Sequence, residues 1–156
     1  MKKAIFGIAI LTLLFTTSCK KSMPSNYWAF KGTTYTVAAC TGQGNILSAS
    51  NMVSSTINGN STLSITFPGA TLPDSNGAYP VVGGYTAPAG PQAYLVLDIY
   101  GAQGGHSLYS PLAGQTIAVT VSSTGKVSVS GSGIQMVNID NSSDISALSL
   151  NITQTQ

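Results

Sequence analysis

A chain of 156 residues fills one domain and rarely two. Its six Lys, four Asp and single His, with no Arg and no Glu, hold charged side chains at 6%, against about 25% in an ordinary soluble domain. That scarcity excludes a basic nucleic-acid surface, which needs clustered cations to release counterions, and leaves an acid–base enzyme short of carboxylates and imidazoles.

Met1-Lys2-Lys3 opens with positive charge, Ala4 to Phe15 carries none, and the small residues Thr16, Thr17 and Ser18 lead to Cys19. That order predicts a secretory signal peptide over 1–18, with an apolar run too short for a comfortable membrane span. A cysteine directly after small residues resembles the bacterial lipobox, although Thr16 stands where the usual form has Leu. The resemblance implies cleavage before Cys19 and lipidation of its thiol, which makes a membrane the first partner. Residues 19–26, with Pro24, read as the lipidated tether. Cys19-Lys20-Lys21-Ser22 resembles lipoproteins of Bacteroidota, in which an acidic run after the cysteine implies export to the cell surface. Lys20 and Lys21 occupy those places, which implies an outer-membrane lipoprotein facing the periplasm, with the cell surface as the alternative. Without residues 1–18, Lys20, Lys21, Lys31 and Lys126 balance Asp74, Asp98, Asp140 and Asp144. A body of that charge gives no long-range steering of a charged ligand.

From Tyr27 onward the pattern is β throughout, one domain over 27–156. Tyr27 to Phe30 meets a tight turn at Lys31-Gly32, and Thr33 to Cys40 returns with Tyr35, Val37 and Ala39 on one face. Thr41 to Asn45 reads as a loop, Ile46 to Ile57 as a strand broken near Asn51, and Asn58-Gly59-Asn60 as a hairpin turn. Leu63, Ile65 and Phe67 alternate with Ser64 and Thr66. Pro68 to Pro91 is loop-rich, and Ala78 to Val82 reads as an edge strand because Pro80 cannot donate to a central ladder. Ala93 to Tyr100 is apolar on both faces and reads as central. Gly101 to Gly114 reads as a loop. Thr116 to Ser122 and Lys126 to Ser130 flank a turn at Thr124-Gly125, and Gly131-Ser132-Gly133 interrupts before Ile134 to Ile139. Asp140 to Asp144 turns the chain, and Ile145 to Thr153 closes it with Leu148, Leu150 and Ile152 on one face. About eight to ten strands at this spacing predict an all-β fold. The expected form is an antiparallel β-sandwich, immunoglobulin-like or jelly-roll-like, with a small β-barrel as the alternative.

Few residues carry chemistry. His106 and Asp98 are the limiting parts of any serine triad, and no Gly-x-Ser-x-Gly elbow accompanies them. One His and one Cys are too few for zinc, and Asp140-Asn141-Ser142-Ser143-Asp144 lacks the Gly and the distal Glu of a calcium loop. It reads as a polar turn, and no cofactor or metal is expected. The glycine clusters at Gly42 and Gly44, and at Gly101, Gly104 and Gly105, precede no helix that would hold a phosphate. With Cys19 carrying lipid, Cys40 has no partner and is expected to be a buried, reduced thiol. Aromatics offer the remaining binding potential. Tyr94 and Tyr100 are assigned to the core, which leaves Tyr79, Tyr85 and Tyr109 as candidate ligand-binding residues.

The opening Trp28-Ala29-Phe30-Lys31-Gly32-Thr33-Thr34-Tyr35 and the closing Gly125-Lys126-Val127-Ser128-Val129-Ser130-Gly131-Ser132-Gly133-Ile134 resemble small Bacteroidota lipoproteins with β-sandwich bodies. The resemblance implies fold and location and carries no catalytic residue. The expected function is a membrane-anchored cell-envelope module, structural or binding, without catalysis. A carbohydrate or peptidoglycan-fragment binder using the middle tyrosines is the alternative, and a hydrolase ranks third.

Overall fold

The computed structural model describes residues 25–51, 60–83, 90–100 and 105–155. The signal segment, Cys19 with most of its tether, Tyr85, the Asn58-Gly59 turn, Gly101 and Gly104 lie outside the described residues.

The first hairpin joins β1 (Tyr27–Phe30) to β2 (Thr33–Thr36). Lys31 and Gly32 both take positive φ, 49° and 75°, the mirror-image turn whose twist suits a two-residue hairpin. The expected strand Thr33 to Cys40 is split. Val37 N–H donates to Asn26 O at 3.0 Å, on the β1 side, whereas Ala38 N–H donates to Ser50 O at 2.8 Å. Within one residue the chain leaves one end of the sheet and joins the other, where β3 (Ala39–Gln43) pairs with β4 (Ile46–Ser50). β3 runs through Gly42, which had read as loop, and turns only at Gly44 and Asn45. At Gly42 a Cβ would lie 2.5 Å from Leu72 Cδ1, so glycine lets the Leu72 side chain pack against the β3 backbone without shifting.

β4 pairs with β5 (Thr62–Thr66), and β5 pairs with β7 (Ala93–Tyr100). β7 is central as its two apolar faces required, since it also pairs with β6 (Gly77–Val82) and β8 (His106–Pro111). Two readings are corrected here. The segment Gly101 to Gly114 holds a strand, β8. β6 is an interior strand between β7 and β9 (Gln115–Val121), not an edge. Pro80 is tolerated because pairing to β7 begins only at Val81, so its missing N–H costs no rung on that side. The β6–β7 pairing is parallel, the exception in an otherwise antiparallel set.

β10 (Val127–Asn138) and β11 (Ile145–Thr153) complete the fold. Val127 to Ser130 pair with β9, and Met136 to Asn138 pair with β8. The register against β11 shifts between Gly131 and Ile134. Gly131-Ser132-Gly133 is therefore a bulge inside one continuous strand, with Gly133 at φ 68°, and it bends β10 from one neighbour to the next. β6, β7, β8, β10 and β9 close into a five-stranded barrel. The all-β expectation holds, and the barrel alternative describes the centre of the molecule. Strands β11, β1 and β2 extend it on one side, and β5, β4 and β3 on the other.

One core lies between the two extensions and through the ring. Trp28, Leu47, Leu63, Phe67, Ile117 and Leu148 are fully buried, from five different strands or their ends. Each such side chain stabilises the fold by about 1.5–3 kcal/mol relative to exposure. The inward rows Leu63, Ile65 and Phe67, and Leu148, Leu150 and Ile152, are the rows that alternation predicted.

Candidate functional site

Three assemblies of polar side chains bear on function. The first ties the β1–β2 turn to β8 and to the turn before β11. Lys31 Nζ donates to Tyr109 Oη at 2.8 Å and lies 2.7 Å from Asp144 Oδ1. Tyr109 Oη–H donates to Asp144 Oδ2 at 2.9 Å, and Asn138 Nδ2 approaches the same oxygen at 3.3 Å. The ammonium also sits 4.9 Å from the Tyr109 ring centroid, within cation–π range. Burial pulls the Lys31 pKa down, but its bonds to Asp144 and Tyr109 outweigh that and leave it raised. The Lys31 hydrogen bond, then that of Tyr109, holds the Asp144 carboxyl below its ordinary range. Lys31, Tyr109 and Asp144 each bond the other two, which is the chemistry of a clamp.

The second assembly is Asp98 and His106. His106 Nδ1 lies 3.2 Å from Asp98 Oδ1, and its ring stacks on Tyr100 at 5.4 Å and 21°. The structure thus brings together the two residues a triad would need. Cross-strand pairing of Tyr100 with His106 places them there, and more than half of the His106 side chain is exposed. Among the described residues no serine or threonine hydroxyl is hydrogen-bonded to the imidazole. A triad needs that hydroxyl to be activated.

The third is an open groove of about 530 Å³ on the outer face of the sheet, where β1, β11, β10, β9 and β6 lie side by side. One cross-strand row runs its length: Tyr27 opposite Asn151, Asn151 opposite Ser130, Ser130 opposite Ala118, and Ala118 opposite Ala78. Thr116 and Ser132 flank the row, and Ile117 and Leu150 reach the floor from the core. Gly131 helps to shape the dip. A Cβ there would sit 2.8 Å from Ile134 Cδ1 and 3.4 Å from Ile117 Cγ2, so glycine lets the β10 backbone lie close against them. Among the described residues the groove lining holds hydroxyls, an amide, alanines and one aromatic ring, and no Lys, Asp or His.

Of the tyrosines proposed from sequence, Tyr79 and Tyr109 lie apart. Tyr109 is 4% exposed and packs edge-on against Phe30 at 4.7 Å, its hydroxyl inside the clamp. Tyr79 packs edge-on against Phe67 at 5.3 Å. Each ring is thus spent on a different phenylalanine, and Tyr85 lies outside the described residues. Cys40 is fully buried and free, and burial pushes its thiol up to about 11. The turn Asp140 to Asp144 bonds internally: Asp140 N–H donates to Asn138 Oδ1 and Ser143 N–H to Asn141 Oδ1. The sequence reading passed over Tyr27. Its signal was the alternation that sends Trp28 and Phe30 inward and Tyr27 outward, but the neutral row beside it exists only once the register of five strands is known.

No protein-family model, no curated protein and no solved structure matches this chain.

Proposed function

We propose that the protein is a lipid-tethered, non-catalytic binding module of the bacterial cell envelope. The observation that carries the binding role is the groove on the outer sheet face, whose lining is neutral and whose position leaves the core undisturbed. Lys31 and Asp144 support the non-catalytic reading, because the clamp commits both to each other and to Tyr109. The tether rests on the sequence order of Lys2-Lys3, the uncharged run Ala4 to Phe15, and Cys19 after small residues. A diacylated cysteine holds the body at the membrane surface, with outer-membrane placement facing the periplasm.

Metabolic labelling with a palmitate analogue in a bacterial host tests the anchor. The wild-type chain is expected to incorporate label and to fractionate with the envelope, and Cys19→Ser to lose both. Label retained by Cys19→Ser removes the tether from the reading.

A further inference from the structure

We propose that the groove between Tyr27 and Ala78 binds a neutral oligosaccharide, lying across the strands with one sugar face on the Tyr27 ring. The inference rests on the binding role proposed above and gives that role a site and a ligand class.

The geometry of the row carries the argument. Five cross-strand partners at about 4.8 Å per strand make a track about 19 Å long, a length suited to a chain of a few sugar units and excessive for one small molecule. Its chemistry changes along that length. Tyr27 at one end supplies a partly buried ring, a flat apolar surface with a hydroxyl at its tip. Asn151, Ser130 and Thr116 then present amide and hydroxyl groups that both donate and accept. Asn151 Nδ2 is already bonded to Ser25 O at 3.3 Å, which leaves its Oδ1 as the acceptor it offers a ligand donor. Ala118 and Ala78 keep the far end low, so that a rigid chain passes over it.

Charge decides between ligand classes. Phosphates and carboxylates call for cations or a row of free backbone amides, and among the described residues no Lys lines this groove. A cationic ligand would need Asp, and none lines it among the described residues. An apolar ligand would strand the hydroxyls without partners, at a cost for each one desolvated. A polyhydroxylated neutral chain satisfies the amide and hydroxyls and covers the ring and the alanines at once. The bulge adds a rim: Ser132 stands out of register with β11 beside the track.

The test uses the full chain in a zwitterionic detergent, because sugar-headed detergents would compete. Tetrasaccharides of N-acetylglucosamine, glucose and mannose, and an acidic tetrasaccharide of galacturonic acid, are titrated by calorimetry. At least one neutral tetrasaccharide is expected to bind, and Tyr27→Ala to weaken it tenfold or more. Ala118→Gln, at an exposed position, fills the track without touching the core and is expected to do the same while leaving the circular dichroism spectrum unchanged. Absence of binding by all three neutral tetrasaccharides at millimolar concentration overturns the proposal. So does binding that survives both substitutions, or a preference for the acidic chain. The fate of the sugar separates this proposal from the wider reading. A bound tetrasaccharide recovered intact supports both, whereas one recovered shortened keeps the groove and overturns the non-catalytic role.

Discussion

Lys31 Nζ and Asp144 Oδ1 lie 2.7 Å apart although 113 residues separate them in the chain. The contact fastens the first hairpin turn to the turn between β10 and β11. It does so from a backbone position that suits lysine poorly, since Lys31 holds φ 49°, where Gly, Asn and Asp are favoured. A lysine kept in that conformation is explained by its ammonium, which meets the Asp144 carboxylate and the Tyr109 hydroxyl together.

The clamp gives stability a pH window with a definite sign. Asp144 titrates below its ordinary 3.8 in the folded protein, so its contribution is present above that value and is lost as pH falls through the folded pKa. Lys31 titrates above its ordinary 10.5, so its contribution is full below 10.5 and is lost as pH rises through the folded value. Thermal melts from pH 2 to 12 are expected to show a wild-type plateau that ends on the acid side as Asp144 protonates and on the alkaline side from pH 9, where Cys40 begins to count, with the Lys31 loss following above 10.5. Lys31→Met should weaken the acid limb attributable to Asp144, because the largest influence lowering its pKa is gone while the Tyr109 and Asn138 hydrogen bonds remain. Identical acid limbs in the two proteins would remove the ion pair as the cause.

Local rules made much of this fold legible, and pairing partners were the part they did not reach. Alternation placed Leu63, Ile65, Phe67, Leu148, Leu150 and Ile152 inward, and the turns at Lys31-Gly32 and Thr124-Gly125 follow from glycine's tolerance of positive φ. Pro80, Gly42 and Gly131 misled for one shared reason. Proline and glycine punctuate a chain when only local geometry counts. Here neighbours in space decide: β7 begins pairing past Pro80, Leu72 fills the space beside Gly42, and β10 changes partner at Gly131. The groove was hidden for the same reason. Tyr27, Asn151, Ser130, Ala118 and Ala78 come from five strands, and only their register lines them up.

Barrel closure should be sensitive at Gly83, just past β6. A Cβ at Gly83 would lie 2.8 Å from Pro111 O and 2.9 Å from Ser110 Oγ, on β8 across the ring. A backbone carbonyl cannot swing aside as a side-chain end can, so Gly83→Ala is expected to cost about 1–3 kcal/mol, the usual penalty for overpacking. Gly42→Ala meets the ends of the Leu72 and Gln154 side chains, which can rotate, and should cost less. Urea midpoints of the two variants rank them, and a larger loss for Gly42→Ala would contradict the argument.

The Asp98–His106 pair should matter little to stability. The His106 side chain is 54% exposed, and pairs of that kind contribute about 0–1 kcal/mol. His106→Gln is expected to stay within that range in urea melts, with the Tyr100 stack as the main loss. The same variant tests the enzyme reading that ranked third. Hydrolysis of an ester such as p-nitrophenyl acetate that is abolished by His106→Gln would make this pair catalytic and overturn the non-catalytic proposal.

Cys40 should be a slow thiol. It is fully buried on β3, and the C-terminal segment closes over its backbone. Thr155 N–H donates to Cys40 O at 2.8 Å, and Cys40 N–H donates to Thr155 Oγ1 at 3.1 Å. Burial raises the thiol from 9.0 to about 11, so almost no thiolate exists at neutral pH, and the thiolate is the form that reacts. Linkage gives the sign: because the folded pKa exceeds the unfolded one, the stability tied to this thiol is full below pH 9 and declines as pH rises toward 11. Maleimide labelling of the folded protein at pH 7 is therefore expected to be slow and to accelerate sharply in denaturant. Cys40→Ala should cost about 1 kcal/mol, and Cys40→Asp several times more, since an unpaired carboxylate would be desolvated in the core. Thr155→Val removes the hydroxyl bonds but keeps the backbone bond, and should raise the labelling rate with little change in the melting temperature. Stoichiometric labelling of the wild type within seconds, before any unfolding, would place the thiol at the surface and sink the prediction.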